Sequence, residues 1–324
     1  MKASDGSSTD AIPRGGQGLI RHGQASFFGV PTVEDLSQAK ADVAFLGIPY
    51  DQSTNDRPGA RFGPAAIRDA SMRYHSNAWE GWLDAERGNR ILRGVTMMDV
   101  GDVDIRTVDI LENFDRITEA AKLVRQKAPF PVFVGGDHAI TYSLVHAFAD
   151  FHKSGLTVIQ FDAHQDFTDE KSGVRYSHDN QMRRVSELPF VGQIVQIGIR
   201  GLLDWTEPWE AAQRLGVQII PSHRLVDVGV EQALASLRLS GDCYVTIDID
   251  VLDPADARGT GYPEPGGLSY YQLREALFWV AQRCHVIAFD LCEVNPVYDT
   301  AGVTARIAAR LILDLLGTVL PSKE

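Results

Sequence analysis

Apolar residues along this chain gather in short unbroken runs instead of alternating with polar ones. Eight runs stand out: VAFLGIPY (43–50), VTMMDVGD (95–102), VFVGGDH (132–138), LTVIQFDAHQD (156–166), IVQIGIR (194–200), VQIIPS (217–222), CYVTIDID (243–250) and HVIAFDLCEV (285–294). Runs of this kind suit parallel strands covered on both faces, because neither side of such a strand meets water. Helical spacing fills the gaps. Ile117, Ala121 and Val124 recur on one face before the third run, and Ile140, Leu144, Val145 and Phe148 after it. Pro64 suits the first turn of a helix through Ile67 and Met72. Ser269 caps a helix carrying Leu273, Leu277 and Val280. A last helix holds Ile307, Leu311 and Leu315, with Gly317 near its end. Alternating strands and helices predict an α/β fold around a mostly parallel sheet. Residues 1–27 read as a polar arm, and 28–324 as one domain without an internal linker or repeat.

Composition narrows the function. The chain has 324 residues, 44% of them hydrophobic and 23% charged, as in an ordinary soluble globule. A formal net charge of −12 argues against a nucleic-acid partner, which calls for basic patches. No apolar stretch is long enough for a membrane span, and the N-terminus lacks the apolar centre of a signal peptide. Cys243, Cys284 and Cys292 show no metal-type spacing. They read as reduced thiols of a cytoplasmic protein, with Cys243 and Cys292 packed in the core.

The chemistry lies at the ends of the runs, where ligands bind in open parallel sheets. The third run ends in Gly135-Gly136-Asp137-His138, the fourth in Asp162-Ala163-His164-Gln165-Asp166, the seventh in Asp248-Ile249-Asp250, and the eighth holds Asp290 and Glu293. In an extended chain, positions two apart share a face. Asp162, His164 and Asp166 therefore point together, as do Asp248 and Asp250. Alone, DxHxD is also a hydrogen-bonded strand end, and GGDH also a helix cap. Side by side, these ends crowd four carboxylates, which repel unless cations neutralise them. Two divalent ions would do so.

These segments, GGDH, DAHQD and TIDIDVLDP followed by GTG and PGG, resemble the ureohydrolases, the family of arginases and agmatinases. The resemblance extends to Arg57-Pro-Gly-Ala-Arg-Phe-Gly-Pro and to the agmatinase-like Glu293-Val-Asn-Pro and Asp299-Thr-Ala-Gly-Val-Thr-Ala. It implies a three-layer αβα sandwich around an eight-stranded, mostly parallel sheet. It also implies a binuclear centre: His138, Asp162, Asp166 and Asp248 on one metal, and His164, Asp162, Asp248 and Asp250 on the other. Asp166 is thereby also counted with the catalytic groups. A ligand set of carboxylates and imidazoles without thiolate favours Mn²⁺, with Ni²⁺ compatible. Asp137 and Asp253 would support the ligand loops. By the same resemblance His178 would carry a proton to the leaving amine, and Glu293 would hold a cationic guanidino substrate. His75, His152, His223 and His285 have no such context. Family members form trimers or hexamers, so a homo-oligomer is expected.

The chain departs from the family pattern around the substrate. It has Ser177-His178-Asp179-Asn180-Gln181 after the fourth run, Arg258 and Tyr262 within Ala257-Arg258-Gly259-Thr260-Gly261-Tyr262, and Gln165 within DAHQD. Asn180, Arg258 and Tyr262 are accordingly expected to border the substrate. The resemblance implies an agmatinase-like amidinohydrolase giving urea, or a urea derivative, and an amine, with a guanidine or biguanide hydrolase as the alternative; if Tyr262 or Arg258 faces the cleft, guanidine, short alkylguanidines or a biguanide would rival or beat agmatine. A different class of role, a catalytically quiet subunit of a mixed oligomer, is disfavoured because all six metal ligands are present.

Overall fold

The computed structural model describes residues 19–323 except 22, 24, 38, 55, 76–79 and 204. Residues 1–18, most of the expected polar arm, lie outside the described residues. Nine strands make the main sheet: β1 (Ile20–Arg21), β2 (Val43–Ile48), β3 (Met97–Val103), β4 (Phe130–Gly135), β5 (Leu156–Phe161), β6 (Val191–Ile199), β7 (Gln218–Pro221), β8 (Asp242–Asp248) and β9 (His285–Cys292). Their order is β1-β3-β2-β4-β9-β8-β5-β6-β7. Every neighbour is parallel except the β1–β3 pair. Each of the eight apolar runs thus supplies one parallel strand. The two-residue β1 is an antiparallel addition at the edge, too short to leave a periodic signal.

Successive apolar residues of the parallel strands feed opposite cores. In β2, Val43 and Phe45 join one cluster while Ala44, Leu46 and Ile48 join the other. The first cluster is roofed by α1 (Gly63–Ser71), α6 (Ser222–Val228), α7 (Val230–Leu234), α8 (Tyr270–Ala281) and α9 (Val303–Val319). The second is roofed by α2 (Ile110–Lys127), α3 (Ile140–His146), α4 (Gln181–Ser186) and α5 (Glu207–Arg214). The result is the expected helix–sheet–helix sandwich. The expected starts hold too: Pro64 lies in the first turn of α1, and Ser269 with Gln272 forms a capping box for α8. Among the described residues, no helix is long and apolar enough to cross a membrane.

One reading is corrected. Cys243 is joined to Cys284, 41 residues away, in a disulfide, and only Cys292 is free. The cause is sheet register: β8 and β9 are neighbours with Cys243 opposite Val286, so the residue just before β9 is carried alongside β8. Sequence spacing could not show that adjacency. The same order sets β4, β9, β8 and β5 side by side, and their carboxyl ends carry all the chemical segments.

Candidate metal centre

The turn after β4 must come close to other backbone. A Cβ on Gly136 would stand 1.8 Å from the Tyr50 carbonyl oxygen, so only glycine fits. Asp137 then accepts from Ala139 N at 3.1 Å and from the Ser53 hydroxyl at 2.7 Å. Ser53 Oγ in turn accepts from the main-chain N of His178 at 3.1 Å, which ties the His178 loop to the β4 turn. Asp137 is thus a loop organiser, and burial pushes its pKa up to about 7. Asp253 plays the parallel part after β8, accepting from Ala255, Gly266 and Gly267 N at 2.9, 3.0 and 3.0 Å.

Six side chains converge between these turns. His138 Nδ1 lies 2.9 Å from Asp162, 3.2 Å from Asp166 and 3.3 Å from Asp248. His164 Nδ1 lies 2.9 Å from Asp250 and 3.7 Å from Asp162. Two groups of suitable donor atoms, His138–Asp162–Asp166 and Asp162–His164–Asp250, share Asp162 and each fall within 4.8 Å. A third group, His138 with Asp290 and Cys292, is taken up by other bonds. Asp290 accepts hydroxyls from Thr246 and Tyr244, each at 2.7 Å. Two backbone torsions sharpen the convergence: Asp166 and Glu293 adopt φ of 50° and 63°, a left-handed conformation costly for residues with a Cβ.

The hydrogen bonds show that these residues fit metal ions. His138 Nε2 meets the Thr246 hydroxyl at 2.8 Å, and that hydroxyl donates its proton to Asp290. Thr246 therefore accepts from Nε2–H, which leaves a lone pair on Nδ1 facing three carboxylates. That nitrogen is buried, and the side-chain atoms it meets are carboxylate oxygens of Asp162, Asp166 and Asp248. Among the described residues, no lysine or arginine pairs with Asp162, Asp166, Asp248 or Asp250. A lone pair amid anions is stable only around a cation.

Without one, protons take its place. Burial, then the neighbouring Asp162, pushes Asp166 up to about 8, and burial with Asp250 and Asp162 holds Asp248 well above the carboxylate range. Burial opposes charge on His138 and His164, but the surrounding carboxylates prevail and hold both well above the usual imidazole value. All four shifts make the folded chain bind protons more tightly than the unfolded one. The stability they carry is therefore full at low pH and lost as pH rises through the folded values. Asp250, which His164 holds low against burial, acts oppositely but only in the acid range. We expect chelator-treated protein to melt at a lower temperature at about pH 8 than at about pH 6, with divalent ions abolishing the difference. An equal or higher melting temperature at the upper pH would contradict the arrangement.

A cavity of about 200 Å³ opens above this centre. Glu293 lines it, 4% exposed, with Oε1 accepting from His138 N at 2.8 Å. Burial, with Asp248 and Asp137 nearby, raises its pKa well above normal. His178 lines it too, with Nδ1 3.8 Å from Glu293 and Nε2 3.3 Å from Asp179. Burial lowers the His178 pKa, which favours the neutral imidazole. Tyr262 borders the cavity as expected, its ring 5.2 Å from that of His178 and 6.2 Å from that of His164. Two other expectations fail. Asn180 is fully buried, bonded to Ser177 Oγ and, at 2.7 Å, to the Thr168 carbonyl, so it shapes the loop and does not line the cavity. Arg258 is exposed and also absent from the lining.

Residues 41–317 match the Arginase family model. The chain belongs to the Arginase family. Family members are hydrolases of C–N bonds in amidines, and so is this protein; the family works with a binuclear divalent metal centre. It is 34% identical over 280 residues to human mitochondrial guanidino acid hydrolase, covering 85% of this chain and 77% of that protein. Guanidinopropionase of Pseudomonas aeruginosa is 32% identical over 303 residues, with 90% of this chain and 92% of that protein covered. The solved proclavaminate amidinohydrolase of Streptomyces clavuligerus superposes with a TM-score of 0.81 at 31% identity, over 91% of this chain and 96% of that one. Within this family frame, the sequence reading missed Thr246, Gln160, Gln181, Gln196 and Lys171. Two carried a usable signal: Thr246 and Gln160 lie two residues before Asp248 and Asp162, on the same strand face.

Proposed function

We propose that this protein hydrolyses a C–N bond of a small guanidino compound, giving urea or a substituted urea and an amine. The observation that carries the reading is the buried His138 Nδ1 among three carboxylates, beside a cavity that Glu293 and His178 also line. In this reading His138, Asp162, Asp166 and Asp248 hold one ion, and His164, Asp162, Asp248 and Asp250 the other. When bound, two divalent ions, Mn²⁺ by the hardness of these ligands, would supply Lewis acidity and lower the pKa of water. The protein's own groups do the rest. Glu293 holds the guanidinium, whose charge offsets its burial. His178, neutral and beside Asp179, takes a proton and returns it to the nitrogen that departs. Oxygen from water replaces that nitrogen on the central carbon. The family resemblance further supports a homo-oligomer of three or six chains.

Substrate size follows from the cavity. Its volume of about 200 Å³ and the Tyr262 ring suit a small guanidino compound. Leu202, Leu203 and Trp205 add apolar surface to its outer lining beside Asp179 and Glu264, and Lys171 is paired with Asp179 at 2.6 Å. A short uncharged tail, as in methylguanidine or dimethylbiguanide, suits this apolar surface better than the ammonium tail of agmatine. Lys171 supports one second reading, a guanidino acid whose carboxylate draws Lys171 away from Asp179. Relatives named for guanidino acids agree with it. A panel of guanidine, methylguanidine, dimethylbiguanide, agmatine and 4-guanidinobutyrate separates these. We expect the uncharged set to lead in kcat/KM, with Tyr262→Thr raising agmatine. A preference for agmatine that Tyr262→Thr leaves unchanged would refute the compact-substrate reading. A preference for 4-guanidinobutyrate lost in Lys171→Met would establish the second.

A further inference from the structure

Three glutamines lie behind the ligands and take no part in the proposed chemistry. Gln160 on β5, Gln196 on β6 and Gln181 at the start of α4 are 0%, 0% and 1% exposed. Gln160 and Gln196 are register partners on adjacent strands. Gln196 Nε2 donates to the main-chain carbonyl of Gln165 and to Gln160 Oε1, both at 2.6 Å. Gln160 Nε2 donates to Asp162 Oδ2 at 2.5 Å, and Gln181 Nε2 to Asp166 Oδ2 at 2.6 Å.

The direction of this chain is fixed by the backbone. A carbonyl can only accept, so Gln196 must turn its NH₂ toward Gln165 and Gln160. Gln160 must then offer its oxygen to Gln196 and its NH₂ to Asp162. A flipped Gln160 would set an oxygen against a carboxylate. The donors are also neutral. An amide N–H locks a carboxylate's orientation without adding the positive charge that a lysine or arginine would bring in competition with an ion.

We infer that Gln160, Gln181 and Gln196 are positioning residues that set Asp162 and Asp166 for metal binding by neutral amide donation. The inference rests on the two-ion reading above. It divides the labour: Gln181 serves Asp166, which belongs to the His138 ion alone, whereas Gln160 and Gln196 serve Asp162, which both ions share.

The test titrates metal-free protein with Mn²⁺ by calorimetry, for wild type and for Gln160→Met, Gln181→Met and Gln196→Met, with melting curves of the metal-free forms to check folding. Gln181→Met should weaken one of two ions by about 10–100-fold and spare the other. Gln160→Met should weaken both by about that factor, and Gln196→Met both by less. Gln160→Leu, Gln181→Leu and Gln196→Leu, close in size, neutral and without a donor, replace any methionine variant that fails to fold. Wild type holding two ions while folded variants bind as wild type, or while Gln181→Met weakens both ions equally, overturns the inference alone. Wild type holding fewer than two ions overturns the two-ion reading and this inference with it.

Discussion

Asp162→Asn is expected to abolish most turnover while leaving the chain folded. Asp162 is the one carboxylate common to both groups of donor atoms, and one of its oxygens lies 2.9 Å from His138 Nδ1. Asparagine keeps the shape, and its Oδ1 can still accept from His164 N, as Asp162 does at 2.6 Å. It removes the charge that both ions would share. Loss of an outer hydrogen-bond partner of a metal ligand costs about 10–100-fold, and loss of a shared ligand should exceed that. Elemental analysis should show fewer than two ions per chain, and far-ultraviolet circular dichroism should match wild type. Retention of two tightly held ions with normal turnover would remove Asp162 from the centre.

His178→Ala should cut turnover by about 10²–10⁴-fold, the range for a general acid–base group, with metal content unchanged. His178 makes none of the contacts that join the six ligands, so its loss leaves their geometry alone. Burial lowers its pKa, so the neutral, proton-accepting form persists to more acid pH than for an ordinary histidine. The acid limb of the wild-type kcat/KM profile should therefore lie below the usual imidazole value and vanish in the variant. Unaltered turnover across the pH range would exclude His178 from proton transfer. Loss of metal from the variant would instead make its role structural.

The sequence was most readable where burial leaves no choice. The parallel strands show as unbroken apolar runs because both faces meet a core, and the ligands show because residues two apart on a strand end share a face. Glycine at 136 and the acids at 137 and 253 carry a local signal of the same sort. What could not be read depends on which segments become neighbours. The Cys243–Cys284 pair follows from β8–β9 register, and the glutamine chain from β5–β6 register. Asn180 and Arg258 were expected at the substrate because they flank the right segments. Whether a loop side chain turns inward is decided by its partners: the Thr168 carbonyl captures Asn180, while Arg258 stays exposed.

The position of β9 has a consequence for how the protein is made. This strand is the last of the sheet in the chain, yet it lies between β4 and β8 and is the sole link between the two halves of the sheet. Until residues 285–292 have left the ribosome, the β4 and β8 edges lack the strand that joins them. Pairings across such sequence distances form slowly, because loop closure precedes any reward. A nascent chain interrupted before β9 would display two unjoined sheet edges, both prone to aggregation.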